Sequence, residues 1–291
     1  MASPSNAPAK SNARSAVSLR TLLIAIAIFL LVVFSLGPML WQLLTSLKVN
    51  EDISAVPNIY VPSRYTLSHY VELFQRRPFL RYMLNSGFVA VVSTALCLAL
   101  GAPAAYVLAR LRLPGEQIIL AGVLVVTLFP YILLFLGLLE IIRVLGLGNN
   151  YLALIIPYTA INLPLTILVM RSFFQQLPKD LEDAAKVDGY GTVQMLLRIV
   201  LPMTLPALVT TGILAFIFAW NEFLFALTFI TREQMKTIPV AASQLGGASV
   251  FEIPYGPLAA ATVLGTLPLV LLVLFFQRKI IQGLTSGAVK G

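Results

Sequence analysis

The sequence predicts an all-α fold: a polytopic membrane helical bundle of six transmembrane helices, with a helix-turn-helix loop on its cytoplasmic side. Three observations carry this. Of the 291 residues, 58% are hydrophobic and 11% charged, with a mean hydropathy of +0.89, against roughly 45–50% and about 25% in soluble domains. Six runs have the length of a span, since about 20 apolar residues rising 1.5 Å each cross roughly 30 Å of hydrocarbon. Within each run the apolar character persists on all sides, where a barrel strand would alternate over about 10 residues.

A basic stretch rich in Ser, Ala, Asn and Pro, 1–21, containing Lys10, Arg14 and Arg20, opens the chain as a disordered cytoplasmic tail. The first run, Leu22–Leu44, is too long for the apolar region of a cleaved signal peptide and is expected to be a retained anchor. The others are Leu84–Leu108, Ile118–Leu139, Leu152–Met170, Leu205–Ile230 and Tyr255–Phe276, so the bundle occupies 22–282 and a short tail, 283–291, follows. Small residues and prolines inside the runs, such as Gly101, Pro103, Gly265 and Pro268, suit close helix contact and kinks in a membrane.

An even number of spans places both termini on one side. Basic residues favour that side as cytoplasmic, by a margin narrowed by Arg64, Arg76, Arg77 and Arg81 in the first external loop. The net charge of +8 is accordingly read as membrane orientation and not as nucleic-acid binding.

One loop, about 175–203, is too long and too patterned for a connector. Pro178 suits a helix N1 position, Asp180, Glu182 and Asp183 favour the first turn, and Lys186 lies four residues after Glu182. Gly189 falls where a left-handed residue ends a helix. A helix over about 178–188 follows, then a second segment with an apolar stripe of Val193, Leu196, Leu197 and Val200, ended by Pro202. This pair reads either as an interfacial membrane anchor or as a docking knob for a soluble partner.

Chemistry-bearing residues are few. A single histidine, His69, and a single cysteine, Cys97, supply neither a His/Cys metal site nor a disulfide framework nor a Cys/His triad. His69 is expected on the surface of the first external loop, away from any intramembrane serine, and Cys97 is expected to be an inert packing residue. No Gly-x-x-x-x-Gly-Lys-[Ser/Thr] loop occurs, so no phosphate-binding P-loop is present and no cofactor is expected on this chain. Glu222, beside Asn221 in the fifth run, costs a few kcal/mol at that depth unless it faces a polar interior. Glu222 and Asn221 therefore mark either a solute path or a polar helix interface. Asn162, between Pro157 and Pro164, is either pore-lining or a cap at a kink.

The stretch Asp183-Ala184-Ala185-Lys186-Val187-Asp188-Gly189, then nine residues, then Ile199-Val200-Leu201-Pro202, resembles the EAA signature of the membrane subunits of bacterial ABC importers, with Asp183 where the family usually has Glu. Thr45-Ser46-Leu47-Lys48, Asn85-Ser86 through Ala104-Ala105-Tyr106-Val107-Leu108-Ala109-Arg110, Trp220-Asn221-Glu222-Phe223 and the terminal Gly283 through Gly291 are similar to the carbohydrate-importer branch and its second, MalG-like permease. The resemblance implies a non-enzymatic permease of the cell inner membrane that forms a heterodimer with a second permease. It implies two ATP-binding subunits, which bind and hydrolyse the ATP, and an extracytoplasmic solute-binding protein that delivers a sugar, oligosaccharide or polyol-like solute. Asp183, Ala184, Ala185, Gly189, Ile199, Leu201 and Pro202 are then the ATPase-coupling residues. The rival reading is an ATPase-independent secondary transporter or channel, but Glu222 is nearly the only ionisable group at mid-bilayer, where such carriers commonly place several.

Overall fold

The computed structural model describes residues 19–111, 113–246 and 253–288, and side chains of the last helix through 281; most of the first tail and residues 289–291 lie outside this range. Among the described residues, four apolar helices are long enough to cross a membrane uninterrupted: α1 (Leu19–Ser46), α4 (Phe79–Arg110), α7 (Leu152–Gln176) and α14 (Tyr255–Ala288). Two bent pairs bring the number to six. Between α1 and α4 lie the short helices α2 (Asn50–Ile53) and α3 (Ser68–Arg76). The α14 backbone continues through Ala288, so the segment from 283 extends that helix.

The third run is not one rod. It divides into α5 (Glu116–Leu128) and, after a tight turn at Tyr131–Leu134, α6 (Phe135–Val144), bent by 89°. Pro130 causes the break: it cannot donate a backbone hydrogen bond, and it disfavours helical geometry at Phe129, which is extended (ψ 130°). The fifth run is broken as well. α11 (Leu205–Asn221) spans only about 25 Å at 1.5 Å per residue, and α12 (Leu224–Phe229) resumes after an extended Glu222.

The bundle centres on α4 and α7, which pack along most of their length, with α11 against both and α14 outside α11. Side-chain size sets this approach. Cys97, Gly101, Ala102 and Ala105 put small atoms at the contact, and a Cβ on Gly101 would lie 2.6 Å from Thr166 Cγ2. Cys97 is a buried packing residue whose Sγ lies 3.1 Å from Thr166 Oγ1. One core cluster surrounds Tyr82, Leu154, Tyr158, Trp220 and Phe225, the other Tyr106, Met170, Phe174, Ala185 and Val200. α1 packs against α14 and leaves most of its apolar surface exposed, as suits a helix facing lipid or another membrane chain.

His69 corrects a sequence expectation. It is buried (2% exposed), because its ring fills the space beside Gly256 and its Nε2 lies 2.8 Å from the Lys48 carbonyl oxygen. The segment between α1 and α4 is thus a packed layer and not a solvated link. Lys48 contributes by donating to the Ile59 carbonyl at 2.5 Å and stacking its ammonium 4.4 Å from the centre of the Trp41 ring.

Candidate functional site: the loop after α7 and the broken fifth span

The loop after α7 forms α8 (Lys179–Val187), a turn, α9 (Thr192–Met195), a wider turn of five residues over Leu196–Val200, and α10 (Leu201–Met203), which meets α11 at 83°. Pro178 stands one position earlier than expected, at the N-cap, followed by Asp180 and Glu182 in the first turn, where the helix dipole favours negative charge. The C-terminus of α8 closes as a Schellman motif: Tyr190 N–H donates to Ala185 O and Gly189 N–H to Lys186 O, both at 3.0 Å. That closure needs the positive φ of Gly189 (83°), and no heavy atom lies within 4 Å of where its Cβ would be.

Two faces of α8 do different things. Asp183 and Ala184 are exposed, and Asp183 pairs with Lys186 at 3.0 Å. The Glu182–Lys186 pair suggested by spacing does not form, because Glu182 points inward. Its carboxylate contacts Arg110 Nε at 2.6 Å, as an ion pair without hydrogen-bond alignment between those two atoms, and accepts from Tyr106 Oη at 3.2 Å. Ala185, also inward, is 2% exposed and packs in the cluster of Phe174, Met195 and Val200.

The second half of the loop departs from a regular helical stripe. Leu196 and Val200 are buried as expected, but Val193 and Leu197 are exposed and Met195 takes the inner position. Val193 and Met195 precede a wide turn, in which Leu201 N–H reaches back five residues to Leu196 O and rotates the side chains from Leu197 onward away from a 3.6-residue register. Pro202, lacking an N–H, could not have completed the regular ladder. Ile199 and Leu201 are half-buried and Pro202 is exposed. The loop therefore presents Gly189 and the apolar side chains of Val187, Val193, Leu197 and Met203 outward, on a base held by Ala185, Met195 and Val200.

In the fifth span Glu222 is 6% exposed, and its carboxylate is spent inside the chain. It accepts from Tyr158 Oη at 2.5 Å and from the free N–H groups that open α12, Phe225 N at 2.9 Å and Ala226 N at 3.2 Å. Asn221 is exposed and donates to Ile217 O at 2.9 Å; Asn162 is half-buried and donates to Tyr158 O at 2.8 Å. Tyr158 thus ties Glu222 to the helix that carries Asn162. Phe218 and Tyr131 pack edge-on beside Tyr158 and Phe225, spanning both broken runs.

At the opposite end of α4 from the α8–α10 loop, the segment after α12 is clamped. Glu233 contacts Lys236, Arg77 at 3.3 Å and Tyr82 Oη at 2.5 Å, while Asn85 Nδ2 donates to the carbonyls of Gln234 and Lys236. The Lys236 hydrogen bond, and after it that of Tyr82, hold the Glu233 carboxyl below its usual range. Asn149, in the left-handed region (φ 58°), accepts the N–H groups of Thr231 and Arg232 at 2.8 and 2.7 Å. The sequence reading missed this clamp and the Arg110–Glu182 pair. Tyr106 and Arg110, one helical turn apart at the end of an apolar run, were the available signal for the pair.

Known proteins place this geometry. A sequence-family model for the binding-protein-dependent transport system inner membrane component matches residues 98–286. The sulfoquinovosyl glycerol transport system permease protein SmoH of Agrobacterium fabrum is 40% identical over 266 residues, covering 91% of this chain and 93% of its own length. The trehalose/maltose transport system permease protein MalG of Thermococcus litoralis is 38% identical over 275 residues, 94% of this chain and 98% of its own. Among solved structures, a bacterial ABC transporter involved in the import of the acidic polysaccharide alginate superposes with a TM-score of 0.77 at 21% identity, over 89% of this chain and 96% of that one, a likeness of fold. The chain belongs to the family of binding-protein-dependent transport system inner membrane components, the permease subunits of ABC importers.

Proposed function

We propose that this permease pairs with a second permease to form the path for a sugar, oligosaccharide or polyol-like solute, delivered by an extracytoplasmic binding protein and driven by two ATPase subunits docked at α8. The observation that carries the reading is the construction of α8: a short helix closed by the Gly189 turn, with an exposed outer face and a buried inner face tied to the end of α4. Such an element can receive a partner on one side and act on the bundle with the other. The solute class rests on the relatives, whose names specify a sulfoquinovosyl glycerol and trehalose or maltose. In this reading both termini lie on the ATPase side, ATP is bound and hydrolysed by the partners, and Asp183, Ala184 and Gly189 face the docking groove.

The test is reconstitution in proteoliposomes with the second permease, the ATPase and the binding protein, offered a panel of labelled disaccharides and polyols. Uptake that requires both ATP and the loaded binding protein is expected for at least one solute. ATP-independent uptake by this chain without the ATPase would overturn the proposal.

A further inference from the structure

α8 follows α7 directly through Leu177–Pro178 and connects to the rest of the bundle by two further routes of different stiffness. The first runs along the chain through α9, the wide turn at Leu196–Val200, Pro202 and the 83° bend into α11. Each of these interrupts the i→i−4 ladder, and interruptions of that kind are where helices bend. Displacement of α8 along this route is absorbed by the hinges.

The second route runs across space. Glu182 on the inner face of α8 meets Arg110 Nε at 2.6 Å, and the two side chains are only 10% and 6% exposed. Tyr106, one turn earlier on α4, donates to the same carboxylate while its ring packs edge-on against Phe174 of α7. Arg110 Nη2 donates to Leu177 O at 2.7 Å, gripping the end of α7. Nearby Arg171 of α7 closes a brace, donating to Leu108 O of α4 at 3.0 Å and pairing with Glu116 of α5 at 2.7 Å. The ends of α4, α5 and α7 therefore form one cross-braced unit, and Glu182 ties α8 to its α4 side, beside the direct chain link to α7 and the packing of Ala185.

We infer that the Arg110–Glu182 pair is a positioning link that carries displacement of α8 to α4 and α7, so that the stroke enters the bundle through these helices and not through the linker to α11. The inference rests on the docking of an ATPase at α8. Both residues act through the helices they join, and because Glu182 faces α4, its replacement leaves the outer face of α8 in place. Burial makes the tie selective, since a buried pair is screened far less by salt than a surface pair such as Asp183–Lys186.

The experiment uses the full complex in proteoliposomes and reads three quantities: ATPase co-purification, hydrolysis rate, and solute taken up per ATP hydrolysed. Two variants are compared with wild type. Arg110→Met/Glu182→Leu replaces the pair by apolar side chains that preserve packing, and Glu182→Gln keeps the shape while removing the charge. The double variant is expected to co-purify its ATPase and hydrolyse ATP, while uptake per ATP falls about tenfold, within the range expected of coupling residues remote from both ligands; Glu182→Gln is expected to fall in between. An unchanged uptake ratio in both variants would overturn the link. So would loss of ATPase co-purification by Glu182→Gln, which would make the pair a structural support of the docking face. Failure of the wild-type chain to bind any ATPase would instead overturn the proposed function itself.

Discussion

Tyr158 Oη lies 2.5 Å from Glu222 Oε2, across the point where the fifth span breaks. The same carboxylate accepts the Phe225 and Ala226 N–H groups, so one side chain stands in for the helical carbonyls that the extended Glu222 backbone withdraws. A charge that costs a few kcal/mol at this depth is offset by three hydrogen bonds.

Glu222→Ala is therefore expected to lower stability by about 3 kcal/mol, because it leaves a hydroxyl and two backbone donors buried without an acceptor. Glu222→Gln, which keeps one carbonyl oxygen, should lose less. Thermal unfolding of the detergent-purified protein measures the order, and equal midpoints for the two variants would contradict the capping role.

Gly189 gives a cleaner conformational test, because a side chain there meets open space and only its φ matters. Gly189→Asn should be the mildest change and Gly189→Val the most severe, costing roughly 1–2 kcal/mol in the local turn. Membrane abundance should be unchanged across the series while ATPase pull-down declines in that order. Normal pull-down with Gly189→Val would refute the importance of the turn.

Where α4 meets α7, Gly101→Ala places a methyl 2.6 Å from Thr166 Cγ2 and forces the helices apart, an overpacking cost of about 1–3 kcal/mol. Adding Thr166→Ser removes that methyl yet keeps the oxygen facing Cys97. The double variant should recover most of the lost thermal stability. No recovery would mean that the crowding lies elsewhere.

The Glu233 clamp predicts a dependence on pH. Its carboxyl is held below the usual range, chiefly by Lys236 and then by Tyr82, so its contribution is full above the ordinary carboxylate value and is lost as pH falls through the lower folded-state value. The protection factors of the 231–238 amides, which remove the pH dependence of intrinsic exchange, should be flat near neutrality and fall in acid. Glu233→Gln should be weakly protected at neutral pH with little further acid response; a wild-type-like profile for this variant would remove Glu233 from the clamp.

Periodicity and length made the spans legible, because an apolar run of about 20 residues has few fates in a membrane. The breaks were legible only in part. Pro130 stood in the sequence as a signal, but the interruption at Glu222 has none, since a carboxylate capping its own downstream helix looks locally like any acid in an apolar run. The Gly189 turn was readable because positive φ singles out glycine. The inward turn of Glu182 was not: its partner Arg110 is distant in sequence, and the nearer cation Lys186 offered an equally good helical spacing. His69 shows the same limit, since its burial depends on the absent side chain of Gly256.

The Schellman closure of α8 uses only backbone atoms of Ala185, Lys186, Gly189 and Tyr190. The outline of the knob is thereby uncoupled from the identity of its outward residues. Asp183, Ala184, Lys186 and Val187 are exposed and can be exchanged while the turn keeps its shape, so, if α8 is the docking helix proposed above, such a permease can change partners by surface substitution alone. On the docking proposed above, re-targeting α8 to another ATPase is an engineering problem confined to one short exposed face.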